Sequence, residues 1–317
     1  MYIKLWGVRG SIPTPITSAE YRSRLKRALE FARDRWQTDP QKPAANVIEE
    51  LPIETATLIG GETTCVEVRD GDDFLILDLG TGARMLGYEL MGKGPPRVYN
   101  ILLTHTHWDH MQGWPFFVPG YLPGHELHIY SAFPDCEERF IRQQTFEHFP
   151  VEFKQMASSR SFHLFENDTH QEISGFKVSS FNLKHPGGAA AFKIERNGKK
   201  FIFATDTEYF GPDLAEQIEM SRGFFADADL LVMDAQYTME DASAKIGWGH
   251  TPTQNTIECA LQWNVRKLVL THHEPTYIDA KVLELYQDGL EYLTDHDSKN
   301  KDTLTVEVGV EGAVYSL

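Results

Sequence analysis

His105-Thr106-His107-Trp108-Asp109-His110 stands one residue beyond the apolar run Val98-Tyr99-Asn100-Ile101-Leu102-Leu103. A short Val/Ile/Leu/Tyr run of this kind reads as a buried β-strand, so the histidine cluster occupies the loop into which that strand opens. Side chains alternate along an extended chain, which puts His105 and His107 on the same side. A turn after His107 brings Asp109 and His110 back toward them. Four metal-binding side chains packed this densely suit two ions better than one. One ion would be held mainly by His105 and His107, the other by Asp109 and His110.

Three more ligand-type residues follow in order, each at the end of a strand-like segment. His185 comes after Phe176-Lys177-Val178-Ser179-Ser180-Phe181-Asn182-Leu183, and Pro186-Gly187-Gly188 then stops the strand. Asp206 comes after Lys200-Phe201-Ile202-Phe203-Ala204, and His272 after Lys267-Leu268-Val269-Leu270-Thr271. The HxHxDH stretch with these three positions resembles the metallo-β-lactamase superfamily. The likeness extends to Leu5-Trp6-Gly7-Val8-Arg9-Gly10-Ser11, to the Gly60-Gly61 turn before Cys65-Val66-Glu67-Val68, and to Leu77-Asp78-Leu79-Gly80-Thr81-Gly82. The resemblance implies a four-layer αββα sandwich of the α/β class. It also implies a first metal on His105, His107 and His185, a second on Asp109, His110 and His272, and Asp206 bridging both. Asp78 resembles the aspartate that orients the metal-loop groups in that superfamily. His272 is the favoured last ligand. Its neighbour His273 is then a substrate contact, a support for the ligands or a plain strand-end residue.

The ligand positions run from residue 105 to residue 272 of 317, and no Pro/Gly/Ser-rich linker divides the chain, so a single domain over 1–317 is expected. Residues 17–50 and 133–165 look like helical insertions into it. The first carries Tyr21, Leu25, Ala28, Leu29, Ala32 and Trp36 at helical spacing, opposite a basic face of Arg22, Arg24, Lys26, Arg27, Arg33 and Arg35 that reads as solvated. The second is aromatic, with Phe140, Phe146, Phe149, Phe153 and Phe162, and reads as part helix and part loop near the rim of the site. Helical patterns at Thr253–Trp263 and Ala280–Leu293 flank the His272 strand.

Lysine and arginine total 30 against 46 acidic residues, a formal net charge of −16 with histidine neutral. That balance argues against long nucleic acid held over a broad surface, and leaves a small anionic substrate held by metals as the expected partner. A homo-oligomer is compatible with the composition. Cys65, Cys136 and Cys259 are too few and too far apart for a disulfide framework. The strand-like N-terminus lacks the apolar core of a signal peptide, and no apolar run reaches membrane-spanning length, so the expected location is cytoplasmic, away from any membrane.

By the resemblance, two divalent ions also hold a bridging hydroxide that attacks phosphorus or a carbonyl carbon. Zinc is the expected metal, with manganese or iron as alternatives for an all-N/O ligand set. Asp109 and His250 are the catalytic candidates. His250 lies in Gly247-Trp248-Gly249-His250-Thr251-Pro252, a tight loop opening a helix whose N–H groups favour phosphate. This loop resembles that of phosphodiesterase-type members such as tRNase Z-like and PhnP-like enzymes, whose histidine contacts the scissile phosphate. The acidic residue that often supports that histidine, shortly before the bridging Asp, is replaced here by Phe203-Ala204, so that pair is either absent or supplied from elsewhere, with Glu208 and Asp234 as the candidates. Trp108, between two ligand residues, is the best pocket aromatic, and Trp108, His250 and His273 form the candidate substrate contacts. The expected function is a dinuclear metal-dependent phosphodiesterase acting on a small phosphodiester or cyclic nucleotide. A lactone or thioester hydrolase is the alternative enzyme. A metal-binding sensor or interaction protein without turnover is the alternative of another class.

Overall fold

A computed structural model of the chain describes residues 1–92, 94, 97–166, 169–296 and 304–317. The short apolar runs form two mixed, seven-stranded sheets. The first contains β1 (Tyr2–Gly7), β2 (Cys65–Asp70), β3 (Asp73–Leu77), β4 (Val98–Leu103), β5 (Glu126–Ser131) and β6 (Ser159–Leu164) in that spatial order. The second contains β7 (His170–Ile173), β8 (Phe176–Leu183), β9 (Ala189–Arg196), β10 (Lys199–Ala204), β11 (Leu230–Asp234), β12 (Lys267–Thr271) and β13 (Thr305–Val308). A final strand, β14 (Val314–Ser316), returns to the first sheet beside β1. Each sheet starts as an antiparallel meander and continues as parallel strands, β3 to β6 in one and β10 to β13 in the other.

The layers follow from the apolar alternation. Inward residues Leu5, Val66, Leu75 and Leu77 of the first sheet meet Val178, Phe192, Phe201, Phe203 and Val232 of the second. The outer face of the first sheet, with Ile76, Ile101 and Ile129, is covered by Leu86, Leu90, Trp114 and Phe140. The outer face of the second, with Ile202, Leu231 and Leu268, is covered by Ile218, Phe225, Ile257 and Trp263. The result is an αββα sandwich, as expected. Phe192 is fully buried in the middle layer. Phe192→Ala should cost about 3–5 kcal/mol in urea unfolding through lost burial and a residual cavity, and a cost near zero would contradict this layering.

Helices α1 (Ser18–Thr38), α2 (Ala44–Glu49) and α3 (Ile53–Ala56) occupy the first expected insertion and the residues just after it. Here the sequence reading needs correction. Of the apolar stripe on α1 only Ala32 is buried, and Tyr21, Leu25 and Leu29 are exposed. Arg24, assigned to the solvated face, instead anchors the helix, with Nη2 donating to Asp279 Oδ2 at 3.0 Å and Nη1 to the Thr57 carbonyl. A guanidinium–carboxylate contact thus fixes this helix where apolar packing was anticipated. The chain continues through α4 (Gly82–Gly92), α5 (Trp108–Met111) and α6 (Cys136–Gln143). In the second expected insertion α6 is helical, but Ser159–Leu164 is the edge strand of the first sheet, paired in parallel with β5. Its mixed burial gives weak alternation and concealed it. Helices α7 (Leu214–Phe225), α8 (Met239–Ala244), α9 (Thr253–Gln262) and α10 (Asp279–His296) complete the second half. All three cysteines are free and buried. Among the described residues no helix is long and apolar enough to cross a membrane.

Candidate metal centre

Parallel strands place their C-terminal ends along one edge, where α/β sheets build their sites. The loops after β3, β4, β8, β10 and β12 carry Asp78, His105 to His110, His185, Asp206 and His272 to that edge, and Asp234 is the last residue of β11. Three of these residues leave their strands in the left-handed region, Asp78 at φ 59°, Asp206 at 57° and His272 at 61°, and Ser11 joins them at 62°. Left-handed backbone costs a residue with a Cβ on the order of 1–3 kcal/mol, and such positions cluster where side chains must be aimed.

Among the described residues three groups of potential ligands converge, two of which share a carboxylate. In one of these two, His105, His107, His185 and Asp206 offer ligand atoms to a common point, and in the other Asp109, His110, Asp206 and His272 do the same. Asp206 belongs to both. Its Oδ1 lies 3.7 Å from His105 Nε2 and 3.6 Å from His185 Nε2, while its Oδ2 lies 3.0 Å from His110 Nε2 and 3.1 Å from His272 Nε2. Asp109 Oδ2 stands 3.2 Å from His110 Nε2 and 3.1 Å from His272 Nε2. Ligand atoms bonded at ~2.0–2.1 Å to one zinc ion stand about 3.3 Å apart at tetrahedral corners, close to these separations.

The polar accounting also fits bound cations. Asp206 Oδ2 and His105 Nε2 are buried without a hydrogen-bond partner. Asp78, Asp109 and Asp206 bring three carboxylates into a pocket in which none is more than slightly exposed, and such charge is offset by the His110 and His272 rings, which the carboxylates push up, or by bound cations. Burial alone would raise the Asp206 carboxyl, but His272, His110 and His105 outweigh it and hold it well below the usual carboxylate range. Burial raises Asp109 in the same way, and His110 and His272 reverse the effect. Burial pushes the His105, His107 and His185 rings down, keeping them in the neutral form a metal requires.

Neighbouring groups fix the rings. Asp78, fully buried, accepts from Thr104 N and Thr104 Oγ1 and lies 2.8 Å from His110 Nδ1, so Nε2 of that ring is presented to the cluster. His185 Nδ1 donates to the Gly249 carbonyl at 3.0 Å. Only glycine fits at position 249, where φ is +88° and a Cβ would stand 2.1 Å from His185 Nδ1. At Gly10 a Cβ would stand 2.6 Å from His272 Nδ1, and the adjacent Ser11 N–H donates to Asp109 Oδ2 at 2.8 Å. Asp78→Ala should lower metal affinity about 10–100-fold in competition with a chelator, and an unchanged affinity would contradict its role in aiming His110.

His250 lies over this cluster, its ring 5.0 Å from that of His272, with Nδ1 2.7 Å from Asp234 Oδ2. Asp234 is fully buried and also accepts from the backbone N–H groups of Asp206, Gln236 and Thr251. Of the two carboxylates left open by the sequence, Asp234 therefore meets the histidine. Glu208 instead accepts from Gly247 N at 2.6 Å and Gly249 N at 3.2 Å and ties down the loop. The signal for Asp234 was present in Leu230-Leu231-Val232-Met233-Asp234, an apolar run ending in aspartate like those before Asp78 and Asp206. His107, Trp108, Asp109, Asp206, His250 and Ser11 line a cleft of about 370 Å³. Trp108 is 76% exposed there, whereas Trp114, Phe117, Tyr209 and Tyr237 are core residues. His273 requires correction as a substrate contact. Its buried ring points away from the cleft, Nε2 hydrogen-bonds the Gly309 carbonyl at 3.0 Å, and burial beside Arg9 pushes its pKa down to about 3. His272 follows β12 at φ 61°, and this left-handed residue turns the chain so that His273 faces away from the cluster.

The model of the beta-lactamase superfamily domain matches residues 76–273, more than half of the chain and the whole span of the cluster. The chain belongs to that family. It is 24% identical over 264 residues to a ribonuclease Z of Prochlorococcus marinus (strain MIT 9515), covering 66% of this chain and 81% of the relative. Its fold is similar to that of Zn²⁺-bound PqqB from Methylobacterium extorquens, with TM-score 0.65 and 16% identity over 100% of both chains. A diphosphatase of the PhnP family aligns with TM-score 0.57 and 12% identity over 100% of this chain and 97% of the other.

Proposed function

We propose that this protein is a dinuclear metal-dependent hydrolase that cleaves small phosphodiesters. The coarser reading, a metal-dependent hydrolase of phosphodiesterase type, is supported by the family, by the ribonuclease Z and diphosphatase names of its relatives, and by the converging His/Asp clusters. The finer reading is carried by one observation: a histidine held by a buried aspartate stands in the same cleft as both ligand groups. His105, His107 and His185 would hold one ion, Asp109, His110 and His272 the other, with Asp206 shared. Zinc suits the all-N/O set, with manganese or iron as alternatives.

Bound divalent cations supply Lewis acidity and, at neutral pH, a nucleophile drawn from water. The protein's own groups do the rest. Asp234 engages His250 Nδ1 and leaves Nε2 for the cleft, so a protonated His250 donates from Nε2 to the departing alkoxide. Glu208 fixes the Gly247–Gly249 turn from which His250 projects. The Ser11 N–H holds Asp109 Oδ2 and orients that carboxylate. An alkoxide is a poor leaving group and needs this proton. A thioester expels a less basic thiolate and needs it less, so the His250–Asp234 pair favours phosphodiesters over thioesters.

The net charge of −16 and the 370 Å³ cleft favour a small substrate. A second reading, RNA cleavage, draws on the relatives' names and on the exposed cations Arg22, Lys26 and Arg33 of α1. Both are tested by kcat/KM for an aryl phosphodiester, a cyclic nucleotide, a lactone, a thioester and a precursor tRNA in one buffer. The phosphodiesters should lead the carboxylic esters by at least about tenfold, equivalent to ~1.4 kcal/mol of transition-state binding. A lactone or thioester leading by that factor would overturn the assignment, and efficient tRNA cleavage would replace small substrates by RNA.

A further inference from the structure

Beside the cleft lies a larger cavity of about 590 Å³, and the two share Thr106 and Trp108. Its far wall is α6. Arg139 and Arg142 project into it, and Met111 adds an apolar surface. Arg139 is committed to structure: Nη1 donates to Thr106 Oγ1 at 2.9 Å, Nη2 pairs with Asp135 at 2.9 Å, and its guanidinium stacks over Phe133. It thereby locks the cavity wall to the loop that carries His105 and His107. Arg142 is 64% exposed at the side chain and touches Asp135 only at 3.6 Å, so its fork remains available. Two guanidiniums and one carboxylate, that of Asp135, line the cavity on a chain whose net charge is −16. The Trp108 indole is 76% exposed and lines both cavities.

A phosphodiester held at the ligand groups must extend one of its esters out of the smaller cleft, and the larger cavity is the adjoining space. Its volume is that of a pocket for a ligand of nucleotide size. An indole face stacks on a nucleobase, and a guanidinium fork binds phosphate through charge-assisted hydrogen bonds. We propose that this cavity is the subsite for the leaving half of the substrate, and that it takes a nucleotide, with its base on Trp108 and a second phosphate on Arg142. The inference rests on the phosphodiesterase reading and narrows its substrate class to phosphodiesters that carry a further phosphate. A cyclic mononucleotide, whose single phosphate is the scissile one, would leave Arg142 unused.

Calorimetric titration of the metal-loaded protein with inorganic phosphate, adenosine 5′-monophosphate and adenosine 3′,5′-bisphosphate tests this without turnover. The bisphosphate should bind at least about tenfold tighter than the monophosphate, and Arg142→Gln should abolish that difference. Trp108→Ala should reduce the preference of either nucleotide over phosphate by about tenfold or more. Equal affinities for the two nucleotides in the wild type, or a bisphosphate preference that survives Arg142→Gln, would overturn the subsite while leaving the phosphodiesterase reading intact. Failure of the wild type to bind inorganic phosphate at all would overturn both.

Discussion

Asp206→Ala is expected to empty both ligand groups of metal and to lower kcat by at least about a thousandfold. Asp206 contributes Oδ1 to one group and Oδ2 to the other, and among the described residues it is the side chain the two groups share. Metal Lewis acidity is worth several kcal/mol of transition-state stabilisation, and ~4 kcal/mol corresponds to about three powers of ten. Metal content by elemental analysis and kcat on an aryl phosphodiester are the two readouts, with circular dichroism to confirm that the variant folds. Asp206→Ala with wild-type metal content would remove the bridge from the account.

The second large effect is expected at His250. His250→Ala should lower kcat on alkyl-leaving phosphodiesters about 10²–10⁴-fold, the usual contribution of a positioned acid or base, and leave metal content near wild type. The loss should shrink for a p-nitrophenolate leaving group, which departs without a proton. Asp234, His250 and His272 are close enough to form a third ligand group, which gives the experiment a second side. Loss of metal from His250→Ala would make His250 a ligand. Full activity would make it an ordinary loop residue. Asp234→Asn disturbs the same pair but also alters the partner of three backbone N–H groups, so the His250 variant is the cleaner test.

Much of this arrangement was legible in the sequence because strands and ligands carry local signals. Phe176–Leu183 and Lys267–Thr271 have the bounds that their apolar patterns predict, and each ends within two residues of a site residue. The αββα layering followed from the family resemblance rather than from periodicity. Other features depended on tertiary context. The α1 stripe reads as a buried face, yet the helix is anchored through Arg24 to Asp279, a contact across 255 positions that no local pattern encodes. Strand Ser159–Leu164 alternates weakly because it is an edge strand, half of it facing solvent. His273 sits beside a ligand-type residue in sequence but on the opposite side in space, and the left-handed turn at His272 decides which of the two imidazoles enters the cluster. The choice between Glu208 and Asp234 was likewise spatial. One carboxylate faces glycine amides and the other the imidazole.

Two cations sharing one carboxylate are the centre of the proposed chemistry. Protein stripped with a chelator and reconstituted in turn with zinc, manganese and iron(II) should retain, with at least one of them, two equivalents per chain after gel filtration. Asp109→Ala, which removes a ligand from one group only, should retain close to one equivalent. Wild-type protein holding one equivalent or less with every metal would contradict the dinuclear centre and the chemistry built on it.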